Sequence, residues 1–279
     1  MIRGVGIGLR WQFADQLLRE RPEVDFLEVS PENYIGRGGA FAAHLERAME
    51  LYPIVTHGLT MSIGGHDPID RSYLSALRGF IAYVKSPWHS DHLCFGSVDG
   101  VRLHDLLPIA FQKSEVARIA DRIRHVQDAI GVPFAIENIS FYAHPGAQEM
   151  SEAEFIAELC ESAQCGLMLD VNNAYVNACN FGFDVDEWMN VIPFDRVVQM
   201  HIAGHERFEE EGESILIDTH GAPVGDPVKE LLKRVLPRAA NAPVLLERDE
   251  SIPPLGELLS EANELRKMCE RVRSDHGIA

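Results

Sequence analysis

The sequence predicts an α/β fold, a (β/α)8 or TIM barrel forming a single domain over residues 1–279, and three observations predict it. β-like runs alternate with stretches of helical periodicity along the chain. The length of 279 residues is close to the roughly 250 typical of such a barrel. His57, His92, Glu137, Asp170, His201, Asp218, His220 and Glu247 stand at or near the ends of short β-like runs, among them PIVTH, HSDHLC, FAIEN, GLMLDVN, VVQMHIAGH and PVLLERD. Groups able to bind metal at the end of strand after strand are how such a barrel assembles a multinuclear site.

In chain order the candidate strands are Gly4–Leu9, Asp25–Val29, Ile54–His57, His89–Cys94, Phe134–Asn138, Leu167–Asn172, Val197–Ile202 and Val244–Glu247, enough to close a barrel. Between them, Val116, Ile119, Ile123, Val126 and Ile130 step by three and four, and Gly131 ends that helix. Ser151-x-x-Glu154 is a capping box opening a helix that carries Phe155, Ile156 and Leu159, with Gly166 as its expected stop. Pro227 to Leu236 reads as a short helix begun by an N1-type proline. The last helix sets Leu255, Leu258, Leu259, Ala262, Leu265 and Met268 on one face; Ala42–Leu51 and Tyr73–Val84 are less regular helices.

Two segments read as loops on the C-terminal face, where such barrels do their chemistry. One is Ser30-Pro31-Glu32-Asn33-Tyr34 with Gly36-Arg37-Gly38-Gly39. The other is Gly204–Ile215, carrying Glu206, Glu209, Glu210, Glu211 and Glu213. Taken alone, the glutamate run reads as a solvated loop, as runs of like charge usually are.

With 46% hydrophobic and 24% charged residues the composition is that of an ordinary soluble globular protein. No run of about 18 apolar residues would span a membrane. The opening MIRGVGIGLRWQF has neither an apolar h-region nor a cleavage site, so a cytoplasmic protein is expected. Cys94, Cys160, Cys165, Cys179 and Cys269 are odd in number, scattered and without a CxxC, which argues against a disulfide framework and against an all-cysteine zinc site. The net charge of -18 repels phosphate backbones and counts against a nucleic-acid partner.

Singly, a His at a strand end is more often a hydrogen-bonded rim residue than a ligand. A carboxylate after an apolar run, such as Glu137 or Asp170, is more often salt-bridged. The joint pattern changes that reading: imidazoles and carboxylates from six strands converging on one rim would repel or need protons unless cations sit among them. The mixture suits Fe, Mn or Zn, and the lack of thiolates lowers the case for structural zinc. Asp218-x-His220 places both side chains on one side of an extended segment. Asp170-Val-Asn-Asn173 sets an amide oxygen three residues beyond a carboxylate. His201-Ile-Ala-Gly-His205 and Glu247-Arg-Asp249 offer further groups, Asp249 either supporting the ligands or in acid–base work. His44, His125 and His276 read as surface residues; His66, His89, His104 and His144 receive no role. There is no GxSxG and no dinucleotide fingerprint in the required context.

GVGIGLRW, FLEVSPENY, THGL, SDHL, IENIS, LDVNNAYVN, QMHIAGH, IDTHGAPV and LLERD together resemble the multinuclear non-heme iron-dependent oxidase family, that of the methanobactin-biosynthesis oxidase, from about residue 4 to residue 250. The resemblance implies a TIM barrel with two or three irons, mixed Fe(II)/Fe(III), and O2 as co-substrate. It implies oxidation of cysteines in a ribosomally made precursor peptide and a separate partner protein that presents the peptide. The site layout is also similar to endonuclease IV and the xylose-isomerase-like barrels. By that similarity Glu137 bridges two metals, His57 and His92 complete the first, and Asp170, His201 and Glu247 the second. Asp218 and His220 hold the third, with Asn173 where the nuclease pattern has a histidine, so the third metal is expected to be loose. His205 is expected to assist there, and with Asp249 is a candidate for catalytic work. Competing readings are a metal-dependent phosphodiesterase of the endonuclease IV kind, a sugar isomerase, and a non-catalytic peptide-binding subunit; Asn173 and the acidic charge oppose the first, the complete ligand set the last.

Overall fold

Short aliphatic runs with little polar alternation are what strands buried on both faces require. In the computed structural model, which describes residues 2–210 and 212–278, those runs become the barrel. The first half comprises β1 (Val5–Gly8), α1 (Ala14–Glu20), β2 (Leu27–Val29), α2 (Ala40–Leu51), β3 (Ile54–His57), α3 (Arg71–Val84), β4 (His89–His92), β5 (Phe95–Val98), β6 (Val101–Leu107) and α4 (Lys113–Ile130). The second half comprises β7 (Phe134–Glu137), α5 (Glu152–Ala163), β8 (Gly166–Asp170), α6 (Val171–Phe181), α7 (Val185–Val191), β9 (Val197–Ile202), β10 (Glu206–Glu210), β11 (Glu213–Ile217), α8 (Asp226–Val235), β12 (Val244–Leu246) and α9 (Leu255–Asp275).

Eight parallel strands close in the order β1-β12-β9-β8-β7-β4-β3-β2, a (β/α)8 barrel with helices between strands. Register places the chemistry: His92 pairs with Glu137 across β4 and β7, and Asp170 with His201 across β8 and β9, all at strand C-termini. A small apolar cluster of Phe26, Val55, Trp88 and Leu245 forms apart from the main core. Gly6 makes room for it, since a Cβ there would stand 2.6 Å from the Phe26 ring.

Local signals explain most boundaries. The Ser151–Glu154 capping box is formed, and Gly131 caps α4 at φ 76°. Gly166 does not stop α5: the left-handed residue is Gln164, and Gly166 begins β8. The sixth predicted strand is shorter than Leu167–Asn172, because the Asp170 carboxylate accepts from the Asn173 N–H (2.6 Å) and caps α6 immediately.

The Gly204–Ile215 segment is not a loop. β10 and β11 pair antiparallel from Glu206–Ile217 to Glu210–Glu213, with Gly212 at φ 87° in the turn; Glu211 lies outside the described residues. A second hairpin, β5–β6, turns on Asp99 (φ 51°) and Gly100 (φ 77°), the two left-handed residues of a tight hairpin. Within the other predicted loop, Pro31–Asn33 forms one 3-10 turn. Among the described residues no helix is long and apolar enough to cross a membrane.

Candidate metal centre

The ends of β3, β4 and β7 bring together the first group, His57, His92 and Glu137. Glu137 Oε2 lies 3.2 Å from His57 Nε2 and 3.3 Å from His92 Nε2, and the two nitrogens are 3.3 Å apart. Ser90 Oγ, 3.0 Å from His57 Nδ1, orients that ring so that Nε2 faces Glu137.

The other oxygen of Glu137 begins the second group, with Asp170, His201 and Glu247, all buried. His201 Nδ1 is 3.2 Å from Glu137 Oε1 and 3.1 Å from Glu247 Oε2. Behind it, Nε2 is 3.0 Å from Glu28 Oε2. Glu28, on β2, is 2% exposed and also accepts from Gln199 Nε2 at 2.6 Å.

The third group is His220, Glu247 and Asp249. His220 Nδ1 is 3.4 Å from Glu247 Oε2 and 3.3 Å from Asp249 Oδ2, while its Nε2 is 2.7 Å from Asp218 Oδ1. Asp218 accepts from Asn172 Nδ2 (2.7 Å) and Ser140 Oγ (3.1 Å). The expected pair Asp218 and His220 therefore meets, and Asp249 joins it on the other ring nitrogen. Asn173 sits beside Asp170; its Nδ2 donates to Asn138 O at 3.0 Å and its Oδ1 is buried without a partner among the described residues. His205 stands at one remove: its Nδ1 is 2.8 Å from Asn172 Oδ1 and its ring stacks on Tyr175. Arg10, from the segment after β1, binds Asp249 through Nε (3.1 Å) and Nη2, with Glu247 3.9 Å away.

Electrostatics show how strained this set is as bare side chains. Burial, then the charges of Asp218 and Glu137, push the Asp170 carboxyl up to about 8. Burial likewise raises Glu137 and drives His57 well down, helped by His92 and His201. Burial would also lower His92, yet Glu137 and Asp91 lift it to about 9. His201 and His220 are raised well above the usual imidazole value, because the carboxylates around each outweigh its burial. Opposed shifts in touching groups mean that protons must be shared out to make the cluster tolerable, and cations do the same service.

Three buried atoms fit that use. Glu137 Oε2, Asp170 Oδ2 and His201 Nδ1 have no hydrogen-bond partner among the described residues. Ligands about 2.0–2.1 Å from one ion and roughly 90–110° apart stand about 2.8–3.4 Å from each other. The contacts around Glu137 and His201, at 3.1–3.3 Å, have that spacing. The residues fit a cluster of two or more ions with imidazole and carboxylate donors.

Sequence reasoning did not single out Glu28, Gln199, Ser90, Arg10 or Asn172. Glu28 and Gln199 left a signal, each a polar residue inside an otherwise apolar run, between Leu27 and Val29 and between Val198 and Met200.

The chain matches the family model described as RiPP precursor modification enzyme MbnB/TglH/ChrH over residues 4–270; RiPPs are ribosomally made, post-translationally modified peptides. It is 44% identical over 272 residues to a UPF0276 protein of Pseudomonas aeruginosa, covering 97% of this chain and 94% of that one. It is 41% identical over 276 residues to a UPF0276 protein of Acinetobacter baylyi, covering 99% and 94%. Among solved structures, a xylose isomerase-like TIM barrel protein from Mycobacterium smegmatis in complex with magnesium superposes with a TM-score of 0.62 at 9% identity, over 97% of each chain. A D-psicose 3-epimerase superposes with a TM-score of 0.57 at 13% identity, over 98% of this chain and 99% of that one. At such identities these two structures show the shared fold alone.

Proposed function

The chain belongs to the MbnB/TglH/ChrH family of RiPP precursor modification enzymes, and from that premise we propose that it is a multinuclear iron-dependent oxidase acting on cysteine residues of a precursor peptide, with O2 as co-substrate. The observation that supports this reading is the set of buried donor atoms, without hydrogen bonds among the described residues, spaced like ligands at the barrel's C-terminal mouth. His57, His92 and Glu137 would hold one ion, and Glu137, Asp170, His201 and Glu247 a second. A third, looser ion would be held by Asp218 and His220, with Asn173, beside Asp170, proposed as a further weak ligand. Bound iron would supply the one-electron chemistry with O2 that protein side chains do not provide.

The chain's own residues would prepare the substrate. The three candidate groups, among the described residues, contain no cysteine, so a thiolate at the metals would come from the substrate. Asp249 is the most solvent-accessible carboxylate of the three groups, its side chain 43% exposed, and Arg10 fixes it at the mouth. Its carboxylate would accept the thiol proton as the peptide enters. His205 would hold Asn172, which holds Asp218. Glu206 and Glu209, exposed on β10, favour a peptide whose flanking segment is basic or neutral over a nucleic acid. A separate peptide-presenting protein is part of the proposal. The compartment proposed is the cytoplasm, where reducing conditions keep substrate cysteines as thiols.

The test is incubation of anaerobically purified, iron-loaded protein with Cys-containing precursor peptides encoded beside its gene. The expected result is an O2-dependent mass change confined to cysteine and absent from Cys→Ser peptides. Metal-dependent cleavage of a phosphodiester with no peptide modification would replace the oxidase reading by the hydrolase.

A further inference from the structure

We propose that Glu28 is a positioning residue that keeps a proton on His201 Nε2 and so turns the Nδ1 lone pair toward the metal centre; this rests on the metal-centre reading above. The chain of contacts starts at Trp88. Its indole N–H can only donate, and it donates to Gln199 Oε1 at 3.1 Å. That fixes the amide, so Gln199 Nε2 faces the opposite way, where it donates to Glu28 Oε2 at 2.6 Å. The same Glu28 oxygen lies 3.0 Å from His201 Nε2. Trp88, Gln199, Glu28 and His201 are 9%, 0%, 2% and 0% exposed, so bulk solvent has no ready access to redistribute these protons.

The alternative tautomer fails on this geometry. Gln199 Nε2 is also 3.0 Å from His201 Nε2 and would donate to it if that nitrogen carried a lone pair. The lone pair would then face the Glu28 oxygen at 3.0 Å, two acceptors opposed in a dry interior. With the proton on Nε2, that clash becomes a charge-assisted hydrogen bond. Nδ1 is then left 3.2 Å from Glu137 Oε1 and 3.1 Å from Glu247 Oε2, without a hydrogen-bond partner. Only a second proton or a cation relieves three electron-rich atoms so placed.

The relay crosses the barrel. Gln199 and His201 are two apart on β9, hence on one face, while Glu28 comes from β2, separated from β9 in the sheet by β1 and β12. A carboxylate behind a metal-bound histidine fixes its tautomer and raises its basicity, and removing one typically weakens metal binding about 10–100-fold.

The experiment is a chelator-competition titration of the metal-free full chain with Zn(II), comparing the parent, Glu28→Gln, and Glu28→Gln combined with Gln199→Glu. The single variant is expected to lose affinity for one ion per chain by about 10–100-fold, while its metal-free thermal unfolding stays at or above the parent's. The second substitution places a carboxylate oxygen where the amide nitrogen stood, 3.0 Å from His201 Nε2, and is expected to restore most of the affinity. Long-range 15N correlation spectra of the Zn(II)-loaded parent should show His201 protonated at Nε2. Glu28→Gln binding within about threefold of the parent, a double variant no better than the single one, or a His201 proton at Nδ1 would each overturn the relay. A parent that takes up no metal overturns the metal-centre reading itself; a parent that binds normally while Glu28→Gln does too overturns the relay alone.

Discussion

Glu137 faces both halves of the site with one carboxylate: Oε2 toward His57 and His92, Oε1 toward His201. Glu137→Gln keeps the shape and removes the charge, so two ions should be lost together, seen as a drop of about two equivalents in elemental analysis of the anaerobically prepared variant. A variant with full metal content and turnover would make Glu137 a structural residue. Asn173 is the complementary case. Its buried Oδ1 has no partner among the described residues, and an amide is a weaker donor than imidazole. Asn173→His should raise occupancy of the third site, read as metal stoichiometry and crystallographic occupancy beside the parent, without creating nuclease activity. A third site already full and tightly held in the parent would show that Asn173 does not set its affinity. At this scale the sequence exposes residues at strand ends, where a polar group interrupts an apolar run. It hides the role of Glu28, whose partner Gln199 is 171 residues away, and of Arg10, which depends on Asp249 reaching the same rim.

At the scale of elements, helix boundaries are legible where a capping residue sits in the sequence, as at Ser151 with its side chain and Gly131 with its left-handed backbone. They are hidden where the cap is itself a site residue: Asp170 ends β8 and begins α6 at once. The two hairpins escape a strand-by-strand reading for different reasons. Asp99-Gly100 is a tight-turn signal, but the strands it joins lie outside the barrel's strand–helix alternation, whereas the charge of Glu206–Glu213 masks the pairing of β10 with β11. The first turn of α5 also buries Glu152, which accepts from the Trp188 indole N–H at 3.1 Å. Burial pushes its carboxyl from 4.5 up to about 8, with the Trp188 and Asn177 hydrogen bonds opposing the rise. A raised carboxyl keeps its proton in the folded chain after the unfolded chain has lost it. Its contribution to stability is therefore complete below about pH 4.5 and declines as pH rises toward 8. Glu152→Gln should match the parent at pH 4.5 and exceed it at pH 8 by on the order of 1 kcal/mol or more, about 2–4 °C per kcal/mol in Tm. Equal melting temperatures at both pH values would show that Glu152 is ionised in the folded chain.

For the whole molecule, eight predicted strands and the barrel they close are legible because strand-end ligands repeat in step with helix periodicity. The partition of ligands among three groups is not, because it depends on which ring nitrogen and which carboxylate oxygen meet across strands. His220, for example, meets Asp249 on one nitrogen and Asp218 on the other. The net charge of -18 also acts at this scale. Duplex DNA should bind weakly and lose what affinity it has as salt rises, measured by fluorescence anisotropy. Specific nanomolar binding that survives added salt would contradict the peptide-directed reading.

The most direct measurement is metal content and metal position in protein made with iron and purified without air, using elemental analysis and anomalous diffraction at the iron edge. The expected result is at least two irons per chain, one among His57, His92 and Glu137 and one among Glu137, Asp170, His201 and Glu247. Zinc alone under those conditions, with full activity on a phosphodiester, would contradict it.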